Sequence, residues 1–217
     1  MRNPFLAANQ PAQDLVDGFV SAAHFLPALA IQMLRRDSAL ARVVSSWGET
    51  PLEAASHLGH RDLIRQLLRR GVALDPFAAA ALGDKTAVYA LVTADTFEAC
   101  GVHGLPLLHF GIVSRDPSVF QLMVERGVSV NPVRASLPPL HSAVATGQTL
   151  AIKTLVYFGA DLLATDAFGA TASDWAQSIH GPQSEEFRLL RRWEERLEAR
   201  RARTGEPSKT AVPRLRL

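Results

Sequence analysis

The sequence predicts an all-α solenoid in which one helical unit recurs five to six times along 217 residues. Three observations carry that expectation. The tetrapeptide Pro138-Pro139-Leu140-His141 is echoed thirty-two residues earlier by Pro106-Leu107-Leu108-His109, and earlier still by Thr50-Pro51-Leu52-Glu53. Self-similarity at such a period marks stacked repeats, each of which buries its apolar face against the next. Apolar pairs then follow each reference leucine at helical spacing: Leu63-Ile64 and Leu67-Leu68 after Leu52, Val119-Phe120 and Met123-Val124 after Leu108, Ala151-Ile152 and Leu155-Val156 after Leu140. Pairs at i, i+1, i+4 and i+5 form one stripe of a helix. Finally, Gly71, Gly127 and Gly159 close the three stripes, where a left-handed residue ends a helix.

A period near thirty-three with Thr/Pro-Pro-Leu-His opening the unit resembles the ankyrin repeat. That resemblance implies helix-turn-helix units joined by short finger loops and stacked into a curved solenoid. Laid in this register, the first unit is Phe19 to Leu40: Phe19 stands thirty-three residues before Leu52, Ala22 and Ala30-Ile31 follow at the right offsets, and Pro27 begins its second helix. The second unit is the most regular, with Pro51 suited to a first helical turn, Ala55 small enough for neighbouring helices to approach, and Gly59 between the helices. The third, with Pro76, Ala79, Gly83, Ala87-Val88 and Leu91-Val92, begins only twenty-four residues after Leu52. Gly71 to Asp75 leaves room for a tight turn in place of a finger, so the row of fingertips is expected to have a gap there. The fourth unit has Gly111 at the small position, with Arg115 where the interhelical glycine belongs, and the fifth has Ala143 and Gly147 in full register. Gly169 to Ala176 copies the repeat opening as a closing unit. A last helix over Ser184 to Arg203 carries Phe187, Leu190, Trp193 and Leu197 on one stripe, with Glu185-Arg188 and Arg191-Glu195 spaced for pairing. The expected organisation is therefore a leader over 1–16, repeats over 17–181, a C-terminal amphipathic capping helix over 182–204 and a flexible basic tail over 205–217.

Composition agrees with a folded chain and narrows its chemistry. Hydrophobic residues make up 47% and charged residues 20%, enough to bury a core. Cys100 is the lone cysteine, which excludes an internal disulfide and a cysteine-cluster zinc site and fits a reducing compartment, the cytoplasm. The longest apolar stretch, Phe19 to Leu34, is interrupted by His24, Pro27 and Gln32 and is too short to span a bilayer. No secretory signal is read in Met1 to Asp17. Residues 182–217 carry a net charge of +4 and residues 1–181 carry −2, so the body is mildly acidic and the tail basic.

Catalytic and cofactor patterns are not found. The sequence has no Gly-rich phosphate loop, no Gly-x-Ser-x-Gly elbow and no His-Glu-x-x-His helix. His109 and His141 stand at the histidine of the repeat opening, where the resemblance assigns them to bracing the finger-to-helix turn. His57 and His60 are three apart with no third ligand close in sequence, and zinc asks for three or four, so no metal or cofactor is expected. Cys100 and His103 lack a residue to orient them, so the chain is read as no enzyme.

The resemblance places recognition on fingertips and on the exposed side of the first helices. Counting back from each reference residue gives Trp47, Glu49, His103, Leu105, Leu137 and Phe168. Counting forward gives His57, Leu58, Val113, Ser114 and Thr146. This set is largely apolar or aromatic with few cations, which suits a protein partner of unknown identity better than nucleic acid. Trp47 and Phe168 have a second reading, in which they pack onto adjacent fingers. The alternative to this protein-binding module is an adaptor that takes nucleic acid or an acidic protein through the arginine-rich C-terminal helix. The expected state is a monomer with no membrane contact.

Overall fold

A computed structural model describes residues 11–204. Most of the expected leader and all of the expected basic tail lie outside the described residues. Within them the chain forms twelve α-helices in antiparallel pairs: α1 (Gln13–Phe25) with α2 (Pro27–Arg36), α3 (Pro51–His57) with α4 (Arg61–Leu68), α5 (Pro76–Leu82) with α6 (Lys85–Leu91), α7 (Leu107–Val113) with α8 (Pro117–Glu125), α9 (Pro139–Ala145) with α10 (Thr149–Tyr157), and α11 (Ala172–His180) with α12 (Glu185–Thr204). The odd-numbered helices pack on one another in sequence from α1 to α11, and the architecture is an all-α solenoid of stacked helical pairs.

The local chemistry of each start is explicit. Thr50 and Glu53 form a reciprocal capping box, with the Thr50 amide donating to Glu53 at 2.8 Å, and Thr171 with Asp174 repeats it at the same distance. Asp75, Asp84 and Asp116 cap α5, α6 and α8 through their carboxylates. The apolar pairs read from the sequence line the core: Leu63, Ile64, Leu67, Val119, Met123, Ile152 and Leu155 are fully enclosed, and Leu68 is partly buried against them.

Carbonyls at the ends of the first helices are satisfied by the next layer. His60 donates to the His24 carbonyl (2.7 Å), Gln148 to that of Ile112 (2.6 Å) and His180 to that of Val144 (2.7 Å). Each of these pairs is separated by thirty-six residues, so one bond recurs from layer to layer and closes acceptors that the helix itself leaves open.

The shortened third repeat reshapes the stack. The chain runs from Gly71 straight into α5 with no finger. Ala78 to Ala81 are all fully buried, and four small side chains let α5 sink so deeply that α3 and α7 meet across it. His109 of α7 reaches the His57 carbonyl at 2.8 Å, and a Cβ on Gly59 would lie 2.7 Å from the Val113 carbonyl oxygen. The expected gap in the fingertips is thus bridged from beyond: the finger of the fourth repeat, Gly101 to Leu105, lies against the second repeat. What remains beneath it is a cavity of about 390 Å³ between Glu53, Ser56, Asp75, Phe77 and Phe110.

α12 packs on α10 and α11 through buried Leu190, Trp193 and Leu197, with Phe187 partly buried. Its surface pairs differ from those expected. Arg191 takes Glu194 at 2.8 Å in place of Glu195, because Glu194 faces inward beside it, and Glu185 takes Lys153 of α10 at 3.2 Å. Arg188 instead donates to the Gln183 and Ser184 carbonyls.

Candidate functional site

Four side chains from three repeats converge where the bridging finger lands. His24 ends α1, His57 ends α3, Glu49 closes the Ser45–Glu49 finger, and His103 sits at the tip of the Gly101–Leu105 finger. The Glu49 finger is fixed by two bonds between Ser45 and Glu49, one through the Ser45 hydroxyl (3.0 Å) and one through the main chain (2.9 Å). His103 is held at φ 58°, a left-handed conformation that non-glycine residues adopt at a cost. Its carbonyl accepts from the Ser136 hydroxyl at 2.6 Å, so the next finger clamps it.

Glu49 is the centre of the group. It is 2% exposed, and its Oε1 lies 3.2 Å from His24 Nε2, 3.5 Å from His103 Nε2 and 3.6 Å from His57 Nδ1. Oε2 accepts from the Trp47 indole at 3.0 Å. His24 Nδ1 donates to the Val20 carbonyl at 2.9 Å, which directs Nε2 inward. Burial and the neighbouring His24 push the His57 imidazole down to about 4, against the pull of Glu49, so this ring is neutral near pH 7.

The residues read from the sequence as partner contacts divide into three groups. Trp47, Leu58, His103 and Phe168 are exposed, Phe168 almost fully. Leu105, Val113, Leu137 and Thr146 are half-buried, Thr146 because its hydroxyl returns to the Ser142 carbonyl at 2.9 Å. Glu49, His57 and Ser114 are buried and cannot be open contact residues: Glu49 and His57 face each other, and Ser114 bonds the Gly111 carbonyl and the Asp116 amide. The two readings of Trp47 separate here, since its ring edge is tied to Glu49 while half of its surface stays open. Phe168 is not packed onto a neighbouring finger.

His109 and His141 do brace the scaffold, but across repeats. His141 is fully buried and donates to the Ala170 carbonyl of the following finger (2.9 Å), while His109 joins the His57 carbonyl to the Ser142 hydroxyl (2.9 Å). Burial lowers both imidazoles below their ordinary range.

The family model of the ankyrin repeat matches residues 47–92 and 137–167. These segments hold α3 to α6 and the fifth repeat, in the register that the Pro-Leu-His echo set. The chain is an ankyrin repeat protein. No curated protein matches the sequence. Ankyrin repeats are generally protein–protein interaction modules and are typically non-catalytic. No helix among the described residues of this ankyrin repeat protein is long and apolar enough to cross a membrane.

The Cys100–His103 pair separates in space. Cys100 lines the cavity below the bridging finger, where burial and Glu98 push its thiol up, away from the reactive thiolate, while His103 turns to Glu49.

What the sequence reading missed is His24, and with it the cluster. The signal was present in the register: His57 stands five residues after Leu52, and the same step from Phe19 lands on His24. The other two members were indexed as fingertips, but nothing in the spacing places the fourth repeat's finger on the second repeat.

Proposed function

We propose that this ankyrin repeat protein is a non-catalytic binding module that takes a polypeptide on its fingertips and the adjoining ends of its first helices. Trp47 carries the reading. An aromatic side chain that is 49% exposed yet anchored by an indole hydrogen bond to a buried carboxylate is held ready before a partner arrives. A fixed aromatic anchor loses little side-chain entropy on binding, the property that makes tryptophan a frequent hot spot. Leu58 (42%) and Phe25 (79%) are exposed beside the same group, Phe25 stacked on His24 with ring centroids 5.5 Å apart. Together they offer an apolar surface around a polar centre. The contact set is therefore Trp47, Leu58, His103 and Phe168, flanked by Leu105, Val113, Leu137 and Thr146. The chain acts as a monomer in a reducing compartment such as the cytoplasm, in keeping with its one cysteine.

The test is capture of partners by the full chain and by Trp47→Ala combined with Leu58→Glu. Loss of specific partners with unchanged far-ultraviolet circular dichroism supports the surface, and an unchanged set of captured proteins defeats it.

A further inference from the structure

The cluster formed by His24, Glu49, His57 and His103 is more than a link between repeats. Its donor atoms all lie within 4.8 Å of one another. Glu49 Oε1 has less than 1 Å² of exposed surface and no hydrogen-bond partner. An orphaned carboxylate oxygen in a buried position is costly, and three imidazoles crowding it imply a shared cation.

We propose that these four side chains form a zinc(II) site. Zinc binds imidazole nitrogen at roughly 2.0–2.1 Å and carboxylate oxygen at about 2.0–2.2 Å, so two ligands of a tetrahedron stand about 3.3–3.5 Å apart. The three separations from Oε1, at 3.2, 3.5 and 3.6 Å, bracket that edge. An octahedral magnesium site would bring adjacent donors to about 2.9 Å, and calcium takes oxygen donors, so the spacing and the nitrogen-rich set together favour zinc.

The surroundings support the same ion. His24 is oriented by the Val20 carbonyl so that its free nitrogen points inward, and the second oxygen of Glu49 is engaged by Trp47. These are the outer partners that hold metal ligands in place. His57 is the most constrained ligand, because its Nδ1 also lies 3.1 Å from the Glu53 carbonyl and that contact is exchanged for the metal. His103 is the adjustable one: Ser136 clamps its main chain, but its exposed side chain can turn to close the remaining distance. Bound zinc would tie the first, second and fourth repeats across the missing finger. The site shares His103 with the partner surface and borders Trp47, but zinc binding is read without a partner, so the two proposals fail separately.

The full chain, stripped with chelator, is titrated with zinc chloride by calorimetry, and with cobalt(II) by absorption. The expected result is one zinc per chain, a raised melting temperature that chelator reverses, and the intense visible bands of tetrahedral cobalt. His103→Ala, at an exposed position that leaves the core intact, should weaken zinc binding at least tenfold, and Glu49→Gln should weaken it further. His180→Ala, which is outside the cluster, should bind like the parent. Failure of the parent to bind zinc, cobalt spectra of octahedral type, or equal affinity in the parent and His103→Ala overturns the proposal.

Discussion

Replacing His109 with Phe should separate the roles of the layers more sharply than any truncation in the core. The imidazole spans three repeats: it sits on α7, donates to the His57 carbonyl at the end of α3 (2.8 Å) and accepts from Ser142 on α9 (2.9 Å). Phenylalanine keeps the ring and removes both bonds. Each is worth about 1 kcal/mol net, and leaving the His57 carbonyl without its donor adds about 1 kcal/mol or more, so the loss should be about 3 kcal/mol. For a chain of this size that corresponds to a fall of roughly 6–12 °C in melting temperature. Urea unfolding followed by circular dichroism measures it, with Phe168→Ala, at a nearly fully exposed position, as the control expected to stay within about 0.5 kcal/mol. The substitution also has a pH signature. Burial holds His109 below its ordinary 6.5, so as pH falls the unfolded chain takes up this proton before the folded one does. Stability contributed by the neutral ring is complete above about 6.5 and is lost as pH falls towards the folded value, so the variant should lose less stability than the parent over that range. A destabilisation under about 1 kcal/mol, or an unchanged pH slope, would refute the reasoning.

Arg115 occupies the interhelical glycine position at φ 56°, and Arg115→Gly should stabilise the chain by about 0.5–1 kcal/mol, measured by the same urea titration. Gly59→Ala should do the opposite by about 2 kcal/mol or more, because φ is 70° and the new Cβ would lie 2.7 Å from the Val113 carbonyl oxygen where α3 meets α7. His141, fully buried and also lowered by burial, contributes to acid sensitivity with the same sign as His109, so His141→Gln should flatten the fall in melting temperature between about pH 7 and pH 5.

The repeat units were legible because their physics is local. Leu63-Ile64, Leu67 and Ile152 recur at helical spacing, and a stripe that must be buried against its neighbour announces itself in sequence. The deletion after Gly71 was legible too, as a spacing of twenty-four in a chain that otherwise keeps about thirty-three. Its consequence was not. Whether a missing finger leaves an open notch or draws in the next finger depends on how deeply α5 sinks, and that follows from the packing of Ala78 to Ala81 between α3 and α7. Glu49 shows the same limit. At a fingertip position it reads as an exposed contact, yet the finger from Gly101 to Leu105 covers it from a different repeat. Arg191 chose Glu194 over Glu195 for a reason of the same kind, since the side of α12 that faces α11 is set by Leu190 and Trp193.

The finger of the fourth repeat crosses the missing finger and docks on the second repeat, so that His103 meets His57 forty-six residues away in sequence. Their ring centroids lie 5.2 Å apart, edge to face. A nuclear Overhauser measurement on the full chain with labelled histidine reads this directly. Cross-peaks between the His57 and His103 ring protons are expected, and His103 cross-peaks confined to its own finger would contradict this docking.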